Sequence, residues 1–225
     1  MASRFDKNFT ERGYTMSYLT MPDTVYYKSH VLQFLIEIKG ITPRIWRRIQ
    51  VPSNYNFWDL HVAIQDALGW WDSHLHHFEI KGKGKRKIER IGIPDFSGSG
   101  DLPEVFPGWE ILATTYFNDY GIQATYEYDY GDGWLHNVML EGYLYRNPKI
   151  KYPLCTGGER ACPPEDCGGI PGYENVLAAL ADPEHEEHEE MRIWVGEEWE
   201  PEKFNPAKVT FDDPYKRWFQ GFLEK

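Results

Sequence analysis

The sequence predicts an α+β domain, with an antiparallel or mixed sheet that opens strand–strand–helix–strand and a helical region toward the C-terminus. Three observations carry this. Residues 31–38 and 76–80 alternate apolar and polar side chains with the period of a half-buried strand. Residues 57–68 repeat apolar side chains every three or four positions, the period of a helix with one buried face. Nine Trp, fifteen Tyr and twelve Phe among 225 residues supply the bulk for a packed core containing strands.

The elements follow in order. Residues 1–27 show no periodicity and read as a loose arm ahead of a single domain over 28–225. In "VLQFLIEIKG", Leu32, Phe34, Ile36 and Ile38 share one face, and Gln33, Glu37 and Lys39 the other. "GITP" turns the chain, and "RIWRRIQVP" gives a second strand with Ile45, Ile49 and Val51 inward. The same strand sets Trp46 and Arg48 on one face, where a guanidinium can stack on the indole. Asn56 caps the following helix, Asp59 stands at its third position, and Phe57, Leu60, Ile64 and Leu68 form its stripe. Gly69 is the left-handed stop.

"HLHHFEIKGK" alternates again, with His76, Phe78 and Ile80 on one face. Residues 94–109 are a Pro/Gly/Ser loop. A hairpin spans 122–145, with Asp132-Gly133 as its turn. "GYENVLAALAD" reads as a helix. "DPEHEEHEEMRIWVG" reads as another, capped by Asp182 with Pro183 first in the helix and Gly196 ending it. The tail is irregular or short-helical.

Composition narrows the function class. A net charge of −11 repels nucleic acid and anionic membranes at long range. No apolar run approaches membrane-spanning length, and the polar N-terminus lacks a signal-peptide core. Three cysteines do not suit a secreted disulfide framework, so the expected location is cytoplasmic. The basic run "KGKGKRK" carries no interleaved aromatic and reads as a solvated hairpin tip.

The assembled motifs "GITPRIWRRIQVP", "DLHVAIQDALGW", "HLHHFEI", "YDYGDGWLHNVMLE", "YPLCTGGERACPPEDCGG" and "DPEHEEHEEMRIWVGEEWEPEKF" resemble the Ri-plasmid ORF-3-like family over roughly residues 30–205. The resemblance implies an α+β fold in a group of plasmid- and mobile-element-linked proteins with no established activity. Some members carry a label suggesting a transposon resolvase. Nothing in this chain resembles a serine or tyrosine recombinase, and its acidic charge argues against handling DNA.

Two sets of residues are candidates for chemistry. Cys155, Cys162 and Cys167, in a Gly/Pro-rich loop, offer three thiolates for a zinc ion. His185 and His188, one helical turn apart, are the nearest source of a fourth ligand. No C-x-x-C pair is present, so the competing reading is three reduced thiols in a rigid loop, of which Cys162 and Cys167 can pair if oxidised. His188 also lies on the stripe of Met191 and Val195, which suits a packing role. The second set is His74 and His76, read as facing the same way along one strand, with His136, Trp134 and Asp132 on the hairpin. Its "HLH" and "GDxWxH" elements belong to the pattern of the family resembled. Converging imidazoles and a carboxylate would bind metal or carry acid–base chemistry. The alternative is buried histidines bonded to backbone or tyrosine hydroxyls. No nucleophile elbow or phosphate-cradling loop is present.

Two functions are therefore expected: a binding or interaction module for a protein or small molecule, stabilised by zinc at the cysteine loop, or a metal-dependent hydrolase with a His/Asp site on the sheet.

Overall fold

The computed structural model describes residues 29–81, 87–94 and 104–223, with the backbone of two short strands, β1 (Thr10–Glu11) and β2 (Tyr14–Thr15), paired antiparallel. The rest of the N-terminal arm, residues 82–86 of the basic run and 95–103 of the Pro/Gly loop lie outside the described residues.

The main sheet contains β3 (His30–Ile38), β4 (Trp46–Pro52), β5 (His76–Ile80), β6 (Glu89–Gly92), β7 (Phe106–Pro107), β8 (Gln123–Tyr128), β9 (Trp134–Tyr145) and β10 (Leu154–Glu159). Their order across the sheet is β10-β4-β3-β9-β8-β5-β6-β7. All neighbours are antiparallel except β6 and β7, so the sheet is mixed. Register sets the core-facing rows. Phe78, Tyr126, His136 and Ile38 form one row across four strands, and His76, Tyr128 and Trp134 form the next.

Helix α1 (Phe57–Leu68) lies against this apolar face. Asn56 Oδ1 accepts from Asp59 N, and Asp59 returns the bond to Asn56 N, a complete capping box. Gly69, at φ 85°, ends the helix as expected. Phe57, Leu60, Ile64 and Leu68 meet the sheet, and Phe57 packs edge-on against Phe78 at 5.2 Å. A second cluster of Trp58, Val62, Trp109 and Trp218 covers the opposite side, with Trp218 supplied by α4 (Pro214–Leu223). Ten of the twelve residues of α1 are buried, so its polar members, His61 and Gln65 among them, need partners inside the protein.

The outer face of β4 bears out the predicted stacking: Arg48 lies over Trp46, 5.0 Å from the ring centre. Two local expectations change. The β8–β9 hairpin turns through the five residues 129–133 and not through Asp132-Gly133 alone. Asp129 organises it by accepting at Oδ1 from Gly131 N (2.9 Å) and Asp132 N (3.3 Å). Helix α2 (Gly169–Ala181) forms, but the next helix, α3 (His188–Val195), starts six residues beyond Asp182. Residues 183–187 form turns instead, in which Asp182 accepts from Glu184 N and His185 N. The tail supplies a 3-10 turn at Pro206–Lys208 and α4.

Candidate functional site

His61 is the centre of a buried polar chain. Tyr126 Oη accepts from Gln65 Nε2 at 2.8 Å and is hydrogen-bonded to His61 Nδ1 at 2.8 Å. A hydroxyl has one proton to give. Asp72 Oδ1 can only accept from His61 Nε2, so in the neutral ring Nδ1 is the acceptor, and Tyr126 directs its proton there. Burial holds the Tyr126 phenol well above its ordinary range, so the proton stays in place. His61 then carries its own proton on Nε2 and donates it to Asp72 Oδ1 at 2.6 Å.

His76 stacks on His61, ring centres 3.4 Å apart and planes 7° from parallel. His76 is 1% exposed, and its Nδ1 has no hydrogen-bond partner among the described residues. Burial, then the neighbouring His61 and His77, push its pKa well below the usual histidine value, so it is held as the neutral, ligand-competent imidazole. One donor atom each from His61, Asp72 and His76 fall within 4.8 Å of one another, a spacing that can hold a metal ion.

A second group lies beside the first. His74 Nε2 is 2.7 Å from Asp166 Oδ1 and 3.5 Å from Asp129 Oδ2. Every carboxylate of both groups sits on left-handed backbone: Asp72 at φ 63°, Asp129 at 57° and Asp166 at 61°. Aspartate tolerates this region better than most residues, and three such positions around one site aim three side chains that regular strands would not. A cleft of about 780 Å³ opens on Asp72 and His74 between Trp58, Trp70, Trp71 and Arg217. Arg217 bridges Asp66 and Asp212 at 2.5 Å and approaches Asp72 at 3.9 Å.

The structure regroups the predicted residues. His74 precedes β5 and is not on the strand with His76, so the two join different groups. His136 is buried two strands from His76, about 10 Å away by strand spacing, and Tyr126 stands between them. Its Nδ1 lies 3.2 Å from Tyr126 O. Asp132 turns away from the histidines: its Oδ2 accepts from Gly168 N at 3.1 Å and anchors the start of α2. Trp134 is core, 5.8 Å from the Trp70 ring.

The cysteines also separate from their predicted partners. All three are free thiols, and neither metal-competent group among the described residues includes a cysteine, His185 or His188. Cys162 Sγ accepts from Arg47 Nη2 at 3.1 Å. Burial raises the pKa of Cys155 and Cys162, and pushes Cys167 up to about 12. His188 is tied by Nδ1 to Ala179 O at 2.8 Å, and His185 Nδ1 accepts from Glu187 N.

The cysteine loop still reaches the site, through its carboxylates. Glu165 accepts from Tyr128 Oη and Trp71 N, and Trp70 Nε1 donates to Pro163 O at 2.9 Å. The residues that sequence reasoning missed are thus His61, Asp72, Asp129, Glu165 and Asp166. One signal was present: His61 and Gln65, four apart on a helix with apolar residues on every side, mark buried polar positions.

The chain is 31% identical to "Uncharacterized protein y4hQ" of Sinorhizobium fredii over 192 residues, covering 84% of this chain and 94% of that protein. A crystal structure of a protein of unknown function from Methanosarcina mazei Go1, MM3350, superposes with a TM-score of 0.73 at 42% identity, over 81% of this chain and 99% of the other. Residues 30–208 match the family described as plasmid pRiA4b ORF-3-like protein, the stretch that carries the sheet, both His/Asp groups and the cysteine loop. The chain belongs to the plasmid pRiA4b ORF-3-like family.

Proposed function

We propose that this protein is a metal-dependent hydrolase of a small molecule, with His61, Asp72 and His76 holding a divalent transition metal beneath the cleft. The observation that carries the reading is His76: a buried, neutral imidazole with an unsatisfied nitrogen, beside a second imidazole and a carboxylate. An imidazole–carboxylate donor set suits zinc, iron or manganese. A metal at such a site would lower the pKa of bound water and supply a nucleophile near neutral pH. The indoles of Trp58, Trp70 and Trp71 offer apolar walls for the substrate. A metal held at His61 Nε2 would take the place of the proton now given to Asp72, the ring's proton would sit on Nδ1, and the Tyr126 hydroxyl would turn its own proton away to accept it. The two rings are parallel, so holding one ion between them would require His76 to tilt out of the stack.

The test is elemental analysis of protein purified without chelator, followed by a screen against chromogenic esters, amides and phosphoesters. Bound metal, with one equivalent lost in His76→Ala together with activity while the fold is kept, supports the reading. Metal-free protein that cannot be loaded, and is inert to every substrate, contradicts it.

One observation favours a second reading, a non-catalytic binding module. The Gln65–Tyr126–His61–Asp72 chain is closed, with both His61 nitrogens in use inside the protein. In that case the chain braces the cleft, and a metal-free protein binds its small-molecule or protein partner unaided. The acidic charge disfavours nucleic acid as that partner. No helix among the described residues is long and apolar enough to cross a membrane.

A further inference from the structure

Three separate segments meet at His74. One is the loop between α1 and β5, which carries His74 itself. The second is the β8–β9 loop, which brings Asp129. The third is the cysteine loop, which brings Asp166. We propose that His74, Asp129 and Asp166 form a second divalent-cation site, and that its occupation clips residues 163–168 to the end of the sheet.

The spacing fits. Donors bound at about 2.0–2.2 Å to one cation lie roughly 3 Å apart, and the observed separations of 2.7 and 3.5 Å bracket that value. The ligands are also aimed. Asp129 is 7% exposed, and its Oδ1 accepts two backbone bonds from the hairpin loop, which leaves Oδ2 turned to His74. Such outer contacts orient metal-binding carboxylates. Charge points the same way. Two carboxylates face one another here, and a divalent cation between them balances both. The cleft lined by Asp72, Ser73 and His74 gives an ion a path from solvent.

The consequence is mechanical. Without the cation, residues 163–168 are held to this end of the sheet by Trp70, Trp71, Tyr128 and Asp132, each bonded to Pro163, Glu165 or Gly168. With it, the direct contact of Asp166 with His74 is replaced by bonds from His74, Asp129 and Asp166 to one ion, which adds the hairpin loop to the clip. The residues differ from His61, Asp72 and His76, so the two sites stand or fall separately.

The test uses the full chain, stripped of metal by chelation and titrated with Co²⁺ by calorimetry and visible absorption. The wild type is expected to bind two equivalents, and Asp166→Asn and His74→Gln one each. Co²⁺ is expected to slow hydrogen exchange at residues 163–168 at least tenfold in the wild type and not in Asp166→Asn. The Asp166 side chain is 62% exposed, so this substitution spares the core. If wild type binds one equivalent that Asp166→Asn loses and Asp72→Asn keeps, this site stands and the His61–Asp72–His76 centre falls. Variants that bind as many equivalents as wild type, unchanged exchange at 163–168, or a thiolate-to-cobalt absorption band would each overturn the proposal.

Discussion

The imidazoles of His61 and His76 lie ring on ring, 3.4 Å between centres and 7° from parallel. One comes from the central helix and the other from the first residue of β5, so helix–sheet packing itself sets their separation. Burial, with His61 and His77 beside it, holds the His76 imidazole neutral. That contact ties the proposed site to the packing of the core.

The strand beside His76 is expected to be intolerant of any side chain at Gly92. A Cβ there would stand 2.3 Å from His76 O and 2.7 Å from His77 Cα, both backbone atoms. Gly92→Ala must therefore part β6 from β5 at the histidine pair. The expected loss is about 1–3 kcal/mol, as for overpacking elsewhere, seen as a lower denaturant midpoint. Metal affinity should fall with it, which calorimetry would show.

Arg47 is expected to be irreplaceable by lysine. It is 1% exposed, and its Nε donates to Ala67 O at 2.9 Å, one of the orphan carbonyls at the C-terminus of α1. Nη1 donates to Trp46 O and Glu159 O, and Phe204 packs 3.6 Å from the guanidinium carbon. The negative end of the helix and these carbonyls stand in for a counter-ion. Arg47→Met should cost about 3 kcal/mol or more in urea unfolding, because several buried acceptors lose their donors. Arg47→Lys should recover little, lacking the planar fork.

Acid unfolding should report His136. It is fully buried, and burial pushes its pKa down to about 4. The unfolded chain binds this proton near the ordinary value of about 6.5, so His136 lowers stability as pH falls from 6.5 toward 4. The effect integrates to on the order of 3 kcal/mol. His136→Phe removes this proton, so the variant should gain on wild type across that window. Parallel curves of stability against pH would contradict the assignment.

The three thiols should be free and slow. Burial raises the pKa of each, which leaves little thiolate at neutral pH. Reaction with a disulfide reagent should be sluggish in the native protein and give three thiols at once in denaturant. Fewer than three under non-reducing denaturation would restore the Cys162–Cys167 disulfide, and protection by zinc would restore the cysteine metal site.

Local chemistry made much of the fold readable. The alternation of Leu32, Phe34, Ile36 and Ile38, the Asn56 cap and the Gly69 stop are each decided within a few residues, and the structure keeps all of them. The location of the site depended on what local patterns do not carry. Register set His136 opposite Tyr126, whose ring stands between it and His76, and so split a histidine set that looked continuous. Left-handed backbone at Asp72, Asp129 and Asp166 re-aimed carboxylates that a strand or a two-residue turn would have sent elsewhere. In the cysteine loop, Glu165 and Asp166 rather than the thiols face the site, which depends on long-range contacts with Trp71, Tyr128 and His74. Asp132 drew attention as a turn residue beside a histidine, yet Gly168, 36 residues away, claims its carboxylate.

X-ray absorption at the zinc edge, on Asp166→Asn protein loaded with one equivalent, examines the proposed centre at the atoms concerned. The expected first shell is nitrogen and oxygen at about 2.0–2.2 Å with the outer scattering of two imidazoles, and adding His76→Ala should remove the bound zinc. A sulfur shell at about 2.3 Å, or zinc kept with an unchanged spectrum after that substitution, would contradict it.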